Sequence, residues 1–281
     1  PSIAQAVCEA VTQCGIDAVR VGAVPTPALA LESLQAGAAA VMVTGSHIPA
    51  DRNGLKFYVP TGEISKEDEA AILAHLEQTH GAATSGHTRT YGAVLEAYHT
   101  RYASAFGGDA LAGLRIGVYE HSSVARDVMG TVLQALGAET VALARSDIFI
   151  PVDTEAVDPD TRSQLSAWVQ EHNLDAIVST DGDGDRPMVA DASGTIVPGD
   201  VLGPLTARLL GARVLVTPVS SNSMVAEMSD FDALHWTRIG SPYVIAGMEE
   251  VLAADSSARV AGYEANGGFL LGFRATTLSG P

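Results

Sequence analysis

Three aspartates stand at alternate positions, separated by glycines, in the segment Asp181-Gly182-Asp183-Gly184-Asp185-Arg186. The apolar run 175–180, which predicts a β-strand, comes directly before it. Carboxylates with this spacing can surround one hard cation that prefers oxygen ligands, and glycine permits the tight backbone turns that this requires. An EF-hand calcium loop counted from Asp181 would need glycine and glutamate where the chain has Arg186 and Ala192. The segment therefore favours a magnesium loop at the end of a strand, and a solvated acidic turn is the alternative without a metal.

A serine with two basic neighbours follows another predicted strand, 39–44. Ser46 stands on a short loop with His47, and Lys56 comes soon afterwards. A serine hydroxyl is a weak nucleophile unless a base or a metal-activated partner assists it. The loop therefore predicts either a nucleophilic serine or, if nothing else supports it, an ordinary strand-to-loop turn with surface basic residues.

The third candidate is a pair of polar residues after the predicted strand 260–263. Glu264 and Asn266 stand at alternate positions and can face the same way, beside two glycines. A carboxylate and an amide in this arrangement suit the neighbouring hydroxyl groups of a sugar, whereas the alternative is a glycine-rich hairpin. Arg238 is a further candidate, either for binding a phosphate or as an exposed charge at a strand end.

Composition limits the partners of this chain. The 281 residues include 33 acidic and 16 basic side chains, and the net charge of −17 predicts neither nucleic acid nor an anionic membrane as a partner. An anionic ligand would need a metal, basic side chains or helix N-termini to offset this charge. The two cysteines, Cys8 and Cys14, have no zinc-type spacing and are compatible with a reducing cytoplasm, which is the predicted location. No apolar run is long enough for a membrane helix, and no signal-peptide pattern is present.

Short β-type runs alternate with helical patterns along the chain, which predicts an α/β fold with parallel strands and helices on both faces. The predicted strands are 18–24, 39–44, 114–120, 140–143, 175–180, 213–219 and 260–263, and the predicted helices are 26–36, 91–106, 122–136, 159–172 and 241–253. Asp158 and Pro159 predict a helix start, and Gly137 predicts a helix end. The stretch 79–90 lacks apolar periodicity and is interpreted as a linker or long loop. Ligands of such sheets usually bind at the carboxyl ends of the strands.

The three polar loops together, in this order, resemble the α-D-phosphohexomutase superfamily, which includes phosphomannomutases and phosphoglucomutases. The segment 44–49 is similar to that family's Thr-Ala-Ser-His-Asn-Pro serine loop, with Gly45 for alanine and Ile48 for asparagine. The segment 181–186 matches its metal loop without change. The segment 263–268 resembles its sugar loop and is the most divergent of the three. The resemblance spans nearly the whole chain.

The resemblance implies a fold of three related three-layer α/β/α units with mixed, mostly parallel sheets. They would be a phosphoserine domain at 1–90, a metal-binding domain at 91–195 and a sugar-binding domain at 196–281. The chain would then be a fragment that lacks the start of the first domain and the family's C-terminal phosphate-binding domain.

The resemblance also implies a reaction: interconversion of hexose 6-phosphate and hexose 1-phosphate, with mannose favoured over glucose, through a phosphoserine and a sugar bisphosphate. One Mg²⁺ would be the cofactor, a hexose 1,6-bisphosphate the activator, and a small sugar phosphate the partner. The roles implied for individual residues are as follows: catalysis by Ser46, His47, Lys56 and Arg186; metal binding by Ser46, Asp181, Asp183 and Asp185; substrate binding by Arg238, Glu264 and Asn266.

Two alternatives stay open at this point. In a haloacid-dehalogenase-type phosphatase, Asp181 would be the nucleophile, but that motif wants threonine or valine at the position of Asp185, and Ser46 would have no role. The chain could instead be a non-catalytic module that binds a sugar phosphate or a divalent cation.

Overall fold

The computed structural model describes residues 2–46, 48–49, 51–78 and 81–275. Its helices are α1 (Ser2–Gln13), α2 (Thr26–Ala36), α3 (Lys66–Ala74), α4 (Val94–Phe106), α5 (Arg126–Ala135), α6 (Pro159–His172), α7 (Gly199–Leu210) and α8 (Ser241–Ala254), with a 3₁₀ turn at Ser223–Glu227. Its strands are β1 (Ala18–Arg20), β2 (Ala40–Thr44), β3 (Gly54–Val59), β4 (Gly62–Glu63), β5 (Thr88–Thr90), β6 (Arg115–Tyr119), β7 (Glu139–Leu143), β8 (Ala176–Thr180), β9 (Pro187–Ala190), β10 (Ile196–Val197), β11 (Val214–Pro218), β12 (Ala233–Thr237), β13 (Val260–Tyr263) and β14 (Phe269–Leu271). None of these helices has both the length and the apolar character needed to cross a membrane.

The middle of the chain forms a five-stranded sheet in the order β10-β9-β8-β6-β7. Its pairings β8–β6 and β6–β7 are parallel, and the pairings at the β9–β10 edge are antiparallel. Helix α6 packs on one face of this sheet through Leu165 and Val169, which contact Ile177 of β8 in a buried apolar cluster. Because β6 and β8 are parallel neighbours, the loops that follow them leave the sheet at the same edge.

A second mixed sheet, in the order β12-β11-β13-β14, follows toward the C-terminus. Neighbouring residues of β11 pack on opposite faces, since Leu215 joins a cluster with α7 and Val216 joins a cluster with α8. This alternation is the period of a strand that is covered by helices on both faces. Glu264 follows β13 directly, and it lines the same cavity as Ser241 at the N-terminus of α8.

The N-terminal part of the chain is arranged in two small sheets. Strands β2, β3 and β4 form an antiparallel meander, and β1 pairs with β5 in parallel. Val24 and Ala28 pack with Val94, so α4 is anchored against this part of the chain.

The α/β class with mixed sheets is confirmed, and several element boundaries differ from the sequence-based prediction. Strand β1 ends at Arg20 rather than at residue 24, and Gly22 follows with φ +84°. The predicted linker 79–90 contains β5, whose polar residues gave no apolar signal. Helix α5 begins at Arg126 rather than at residue 122, because the preceding residues form a turn in which His121 has φ +30°.

The predicted start and end of two helices are confirmed. Asp158 precedes Pro159, the first residue of α6, and its side chain accepts a hydrogen bond from the N–H of Thr161. Gly137 comes just after the end of α5 and has φ +94°. The division into domains at residues 90 and 195 stays a prediction. Strand β10 pairs with β9, so the ladder of the middle sheet runs to Val197.

Candidate active site

The acidic loop follows β8 directly and is largely buried. Asp181 and Asp183 are 0% and 2% exposed, and Asp185 is half-buried. One carboxylate oxygen from each of the three aspartates lies within 4.8 Å of the others. Hydrogen bonds within the loop stabilise the turn, since Oδ1 of Asp181 accepts from the N–H groups of Gly184 (3.1 Å) and Arg186 (3.3 Å). The sequence thus brings three carboxylates to one point at the end of a buried strand.

Ser46 meets this loop from a different sheet. Its Oγ donates a 2.6 Å hydrogen bond to Oδ2 of Asp181. Ser46 has φ +45°, a conformation that is uncommon for a residue with a side chain, and its N–H donates to Oγ1 of Thr44 at 2.8 Å. The approach is close enough to require glycine: a β-carbon on Gly182 would lie 2.6 Å from the carbonyl oxygen of Ser46. Serine loop and acidic loop are therefore in direct contact.

Lys56 reaches the same loop from β3. The β2–β3 register places it opposite Met42, and its Nζ lies 2.7 Å from Oδ2 of Asp183 and 2.6 Å from Oδ2 of Asp185. Burial alone would lower the pKa of Lys56, but the charges of Asp185 and Asp183 and the hydrogen bonds to them raise that pKa above its usual value. Lys56 is therefore a cation at neutral pH.

Thr26, at the start of α2, is a site residue that sequence reasoning missed. Its Oγ1 donates to Oδ2 of Asp183 at 2.7 Å, and its N–H donates to the carbonyl oxygen of Asp183 at 2.8 Å. The available signal was the Thr26-Pro27 helix start, since the N–H groups at a helix N-terminus favour anions. The sequence does not show which loop such a terminus will face.

Burial and hydrogen bonding move the pKa values of the two innermost carboxyls apart. The pKa of Asp181 rises to about 7 because burial and the charge of Asp183 disfavour its ionised form. Burial would also raise the pKa of Asp183, but hydrogen bonds from its neighbours and the charge of Lys56 lower it to about 2. Like charges at this distance cannot all be held without cations to balance them.

Two cavities flank the acidic loop. The larger, about 500 Å³, is lined by Lys56, Asp185, Arg186, Glu264 and Asn266 among others. The smaller, about 260 Å³, is lined by residues that include Ser46 and Asp183. The acidic loop contributes residues to the lining of both cavities.

The residues predicted to bind a sugar differ in where they lie. Burial raises the pKa of Glu264, and the charge of Arg186 and a hydrogen bond with Asn266 oppose that rise. Oδ1 of Asn266 also accepts the Gly268 N–H at 2.8 Å, so this side chain shapes its own loop. Arg238 is exposed and is absent from the described lining of both cavities.

Arg238 contacts an aromatic ring instead. The guanidinium carbon of Arg238 lies 5.7 Å from the ring centroid of Tyr243, a cation–π contact. His47 lies outside the described residues, so its predicted catalytic role stays a prediction.

The sequence matches two models of one protein family. Residues 1–82 match "Phosphoglucomutase/phosphomannomutase, alpha/beta/alpha domain I", and residues 96–194 match domain II of the same family. Together they cover well over half of the chain. The chain belongs to the phosphoglucomutase/phosphomannomutase family.

Relatives within this family cover nearly all of the chain. A phosphomannomutase of Sinorhizobium fredii is 48% identical over 94% of this chain and 56% of its own length. A phosphomannomutase of Salmonella muenchen is 48% identical over 96% of this chain and 56% of its own length. This phosphoglucomutase/phosphomannomutase family member thus spans a little over half the length of those relatives.

A solved structure shows the same fold. The phosphoglucomutase/phosphomannomutase family protein of Burkholderia thailandensis superposes with a TM-score of 0.82 at 21% identity, over 99% of this chain and 63% of the other.

The acidic loop of this family member fits a divalent cation. In the described part of the chain, Oδ1 of Asp183 and Oδ1 of Asp185 are buried and have no hydrogen-bond partner. Bare carboxylate oxygens are costly inside a protein unless a cation meets them. They are also the hard oxygen ligands that Mg²⁺ prefers, so Asp181, Asp183 and Asp185 could bind such an ion.

Proposed function

We propose that this chain carries the phosphoserine, metal and sugar sites of a phosphohexomutase that interconverts hexose 6-phosphate and hexose 1-phosphate. The observation that carries the proposal is the 2.6 Å contact between Oγ of Ser46 and Oδ2 of Asp181. The contact puts a hydroxyl group against the one described cluster of carboxylates that could hold a metal ion. The two relatives at 48% identity are named phosphomannomutases, which supports mannose as the favoured hexose, with glucose as the second choice.

In the proposed reaction the phosphoryl group is carried on Oγ of Ser46. The bond between phosphorus and Oγ breaks while a bond to a free hydroxyl oxygen of the sugar phosphate forms, which gives a hexose bisphosphate. The other phosphoryl group then returns to Oγ of Ser46. Protonated Lys56 would supply the proton that Oγ needs as it leaves, and the sugar hydroxyl proton would replace it. Phosphoryl transfer depends mainly on positioning and charge stabilisation, which two loops in direct contact can provide.

One Mg²⁺, bound by Asp181, Asp183, Asp185 and the phosphorylated Ser46, would neutralise charge on the transferred group. Arg186, whose Nε lies 4.0 Å from Oδ1 of Asp185, would add positive charge on the side of the larger cavity. A phosphoryl group on Ser46 would therefore lie beside the acidic loop, which lines both cavities.

The larger cavity would hold the sugar. Glu264 and Asn266 would bind its hydroxyl groups, and Arg186 would face its phosphate. A carboxylate and an amide can bind the hydroxyl groups of the sugar in more than one orientation of the sugar ring. One site could therefore accept the sugar in both of the orientations that the reaction needs. The roles of Arg238 in phosphate binding and of His47 in catalysis also belong to this proposal.

The remaining parts of the proposal follow the family resemblance. A hexose 1,6-bisphosphate would serve as activator by phosphorylating Ser46. Small sugar phosphates would be the partners, and a cytoplasmic location without nucleic-acid or membrane partners stays a prediction.

The structure argues against the phosphatase alternative but not against the binding-module alternative. A phosphatase that uses Asp181 as nucleophile conflicts with the family and with the geometry, because Oδ1 already accepts two N–H groups and Oδ2 accepts the Ser46 hydroxyl. A binding module without catalysis stays open because the chain spans only about half of its relatives.

The test is transfer of labelled phosphate from glucose 1,6-bisphosphate in the presence of Mg²⁺. We expect an acid-stable label on the wild type, loss of the label in Ser46→Ala, and full labelling in Ser104→Ala, whose serine is exposed on α4. A hydroxylamine-sensitive label, retained in Ser46→Ala, would indicate an acyl phosphate on Asp181 and support the phosphatase. Absence of label from a protein that binds Mg²⁺ and mannose 1-phosphate would support the binding module.

A further inference from the structure

A buried pair of hydroxyl groups lies behind the acidic loop. Oγ of Ser123 and Oγ1 of Thr180 are 2.8 Å apart, and Oγ1 of Thr180 donates to the carbonyl oxygen of Asp181 at 2.8 Å. The two side chains belong to residues that are 1% and 8% exposed. Ser123 comes from the loop after β6, so this contact joins the ends of two neighbouring strands.

The direction of this chain of hydrogen bonds is determined by its ends. Thr180 has one hydroxyl proton and gives it to Asp181, so Ser123 must donate to Thr180. Oγ of Ser123 in turn accepts the N–H of Ala125 at 3.0 Å. Each hydroxyl therefore donates one bond and accepts one, and the chain ends on the backbone of a proposed metal ligand.

A similar pair lies behind the loop that carries Glu264, and its bond goes to the carbonyl of the residue before Glu264. Oγ1 of Thr217 lies 2.7 Å from Oγ of Ser221 and donates to the carbonyl oxygen of Tyr263 at 3.0 Å. By the same reasoning Ser221 must donate to Thr217. Thr217 and Ser221 are 0% and 7% exposed.

A second hydrogen bond restrains the backbone next to each of these contacts. The Asp181 N–H donates to the Arg186 carbonyl at 3.1 Å, and the Glu264 N–H donates to the Gly268 carbonyl at 3.0 Å. For Glu264 the two bonds hold one peptide group, between Tyr263 and Glu264, whereas for Asp181 they hold the two successive peptide groups on either side of its α-carbon. In both cases the backbone that carries the side chain is restrained, so the side chain keeps its direction. Of the described residues that line the two cavities, none is one of these two serines.

We infer that Ser123 and Ser221 are positioning residues for two different ligands. Ser123, through Thr180, aims Asp181 at the metal ion, and Ser221, through Thr217, aims Glu264 at the sugar. The inference rests on the proposed function for the identity of the two ligands, and on the hydrogen bonds for the division of labour. Each serine acts through a neighbouring threonine and touches neither ligand.

The experiment compares Ser123→Ala with Ser221→Ala, since each variant loses one buried hydroxyl of the same kind and each is the control for the other. Binding of Mg²⁺ and of mannose 1-phosphate is measured by calorimetry, and hydrogen exchange is measured in the segments 181–186 and 263–268. In Ser123→Ala we expect Mg²⁺ affinity to fall on the order of tenfold, with faster exchange confined to 181–186. In Ser221→Ala we expect mannose 1-phosphate affinity to fall about fivefold, with faster exchange confined to 263–268.

Equal effects of both variants on both ligands, or no effect of either, would overturn the inference, because a general loss of stability does not discriminate between loops. If an alanine variant does not fold, the corresponding Ser→Cys variant, which keeps a weak donor, should show the same selectivity to a smaller degree. If wild-type protein binds no mannose 1-phosphate, the proposed function fails, whereas Mg²⁺ affinity and the two exchange patterns still decide the inference.

Discussion

Oγ of Ser46 donates a hydrogen bond to Oδ2 of Asp181 at 2.6 Å although 135 positions separate the two residues. The first belongs to the hairpin of β2 and β3, and the second follows the middle strand of another sheet. Their contact requires glycine at position 182 of the acidic loop and an uncommon backbone conformation at Ser46. Strain of this kind is kept where the surrounding structure holds it and is frequent at functional sites.

Asp183→Asn should weaken Mg²⁺ binding at least tenfold while the fold is retained. The substitution removes one negative charge and one of the bare oxygens of the acidic loop, and it leaves the hydrophobic clusters intact. Isothermal titration calorimetry measures the effect. Asp191→Asn is the matched control, because Asp191 caps an exposed turn and should leave Mg²⁺ affinity unchanged. Equal affinity of Asp183→Asn and wild type would contradict the metal assignment.

Gly182→Ala should separate the serine loop from the acidic loop. The new β-carbon would lie 2.6 Å from the carbonyl oxygen of Ser46, and relief of that clash costs on the order of 1–3 kcal/mol of stability. Because the clash pushes Ser46 away from Asp181, labelling of Ser46 by glucose 1,6-bisphosphate should fall more than Mg²⁺ affinity does.

Gly130→Ala is the control for this change. A β-carbon on Gly130 would meet open space on α5, and alanine favours the helix by roughly 0.5–1 kcal/mol. We expect that variant to be labelled like wild type and to melt at a slightly higher temperature. Normal labelling of Gly182→Ala would show that the contact between the loops is dispensable.

Glu264→Gln should raise the KM for the sugar phosphate about tenfold, because a half-buried charged acceptor for hydroxyl groups becomes a neutral one. Mg²⁺ affinity should not change, since Glu264 lies outside the carboxylate cluster. A coupled assay with mannose 1-phosphate, or calorimetry where turnover is low, measures the effect. Glu171→Gln, on the exposed side of α6, is the control. An unchanged KM in Glu264→Gln would remove this residue from the sugar site.

His121 should make the stability of the protein depend on pH. It is 0% exposed, its Nε2 lies 2.8 Å from the carbonyl oxygen of Thr180, and its Nδ1 has no described partner. Burial lowers the pKa of His121, and the charge of Arg126 adds to this, whereas the hydrogen bond to Thr180 opposes it. The folded protein therefore holds the neutral ring with a proton on Nε2.

The sign of this dependence follows from linkage. A histidine whose folded pKa lies below the unfolded value of about 6.5 binds fewer protons when folded, so stability falls as the pH drops below about 6.5. The loss ends once the pH is below the folded pKa. His121→Asn, which tolerates the positive φ, should show a shallower decline between pH 7 and 5 in urea unfolding. Identical slopes for variant and wild type would show that His121 does not titrate in this range.

The sequence alone determined what is local. The acidic loop was recognisable because three carboxylates, the glycines between them and the strand before them lie within a dozen residues. Their spacing alone indicates a site for a divalent cation. The helix start at Asp158 and the end at Gly137 were predictable for the same reason, since caps depend on neighbours along the chain.

Only the tertiary structure decided which distant segments meet. The contact of Ser46 with Asp181, the hydrogen bonds from Thr26 to Asp183 and the ion pairs of Lys56 join three segments to one loop. Strand β5 also depended on this level, because its polar residues become a strand only by pairing with β1. Such pairings depend on how sheets and helices pack in space, which residue spacing does not encode. The residue types within each loop could therefore be interpreted from the sequence. Which other loops and helices each one contacts depends on tertiary packing.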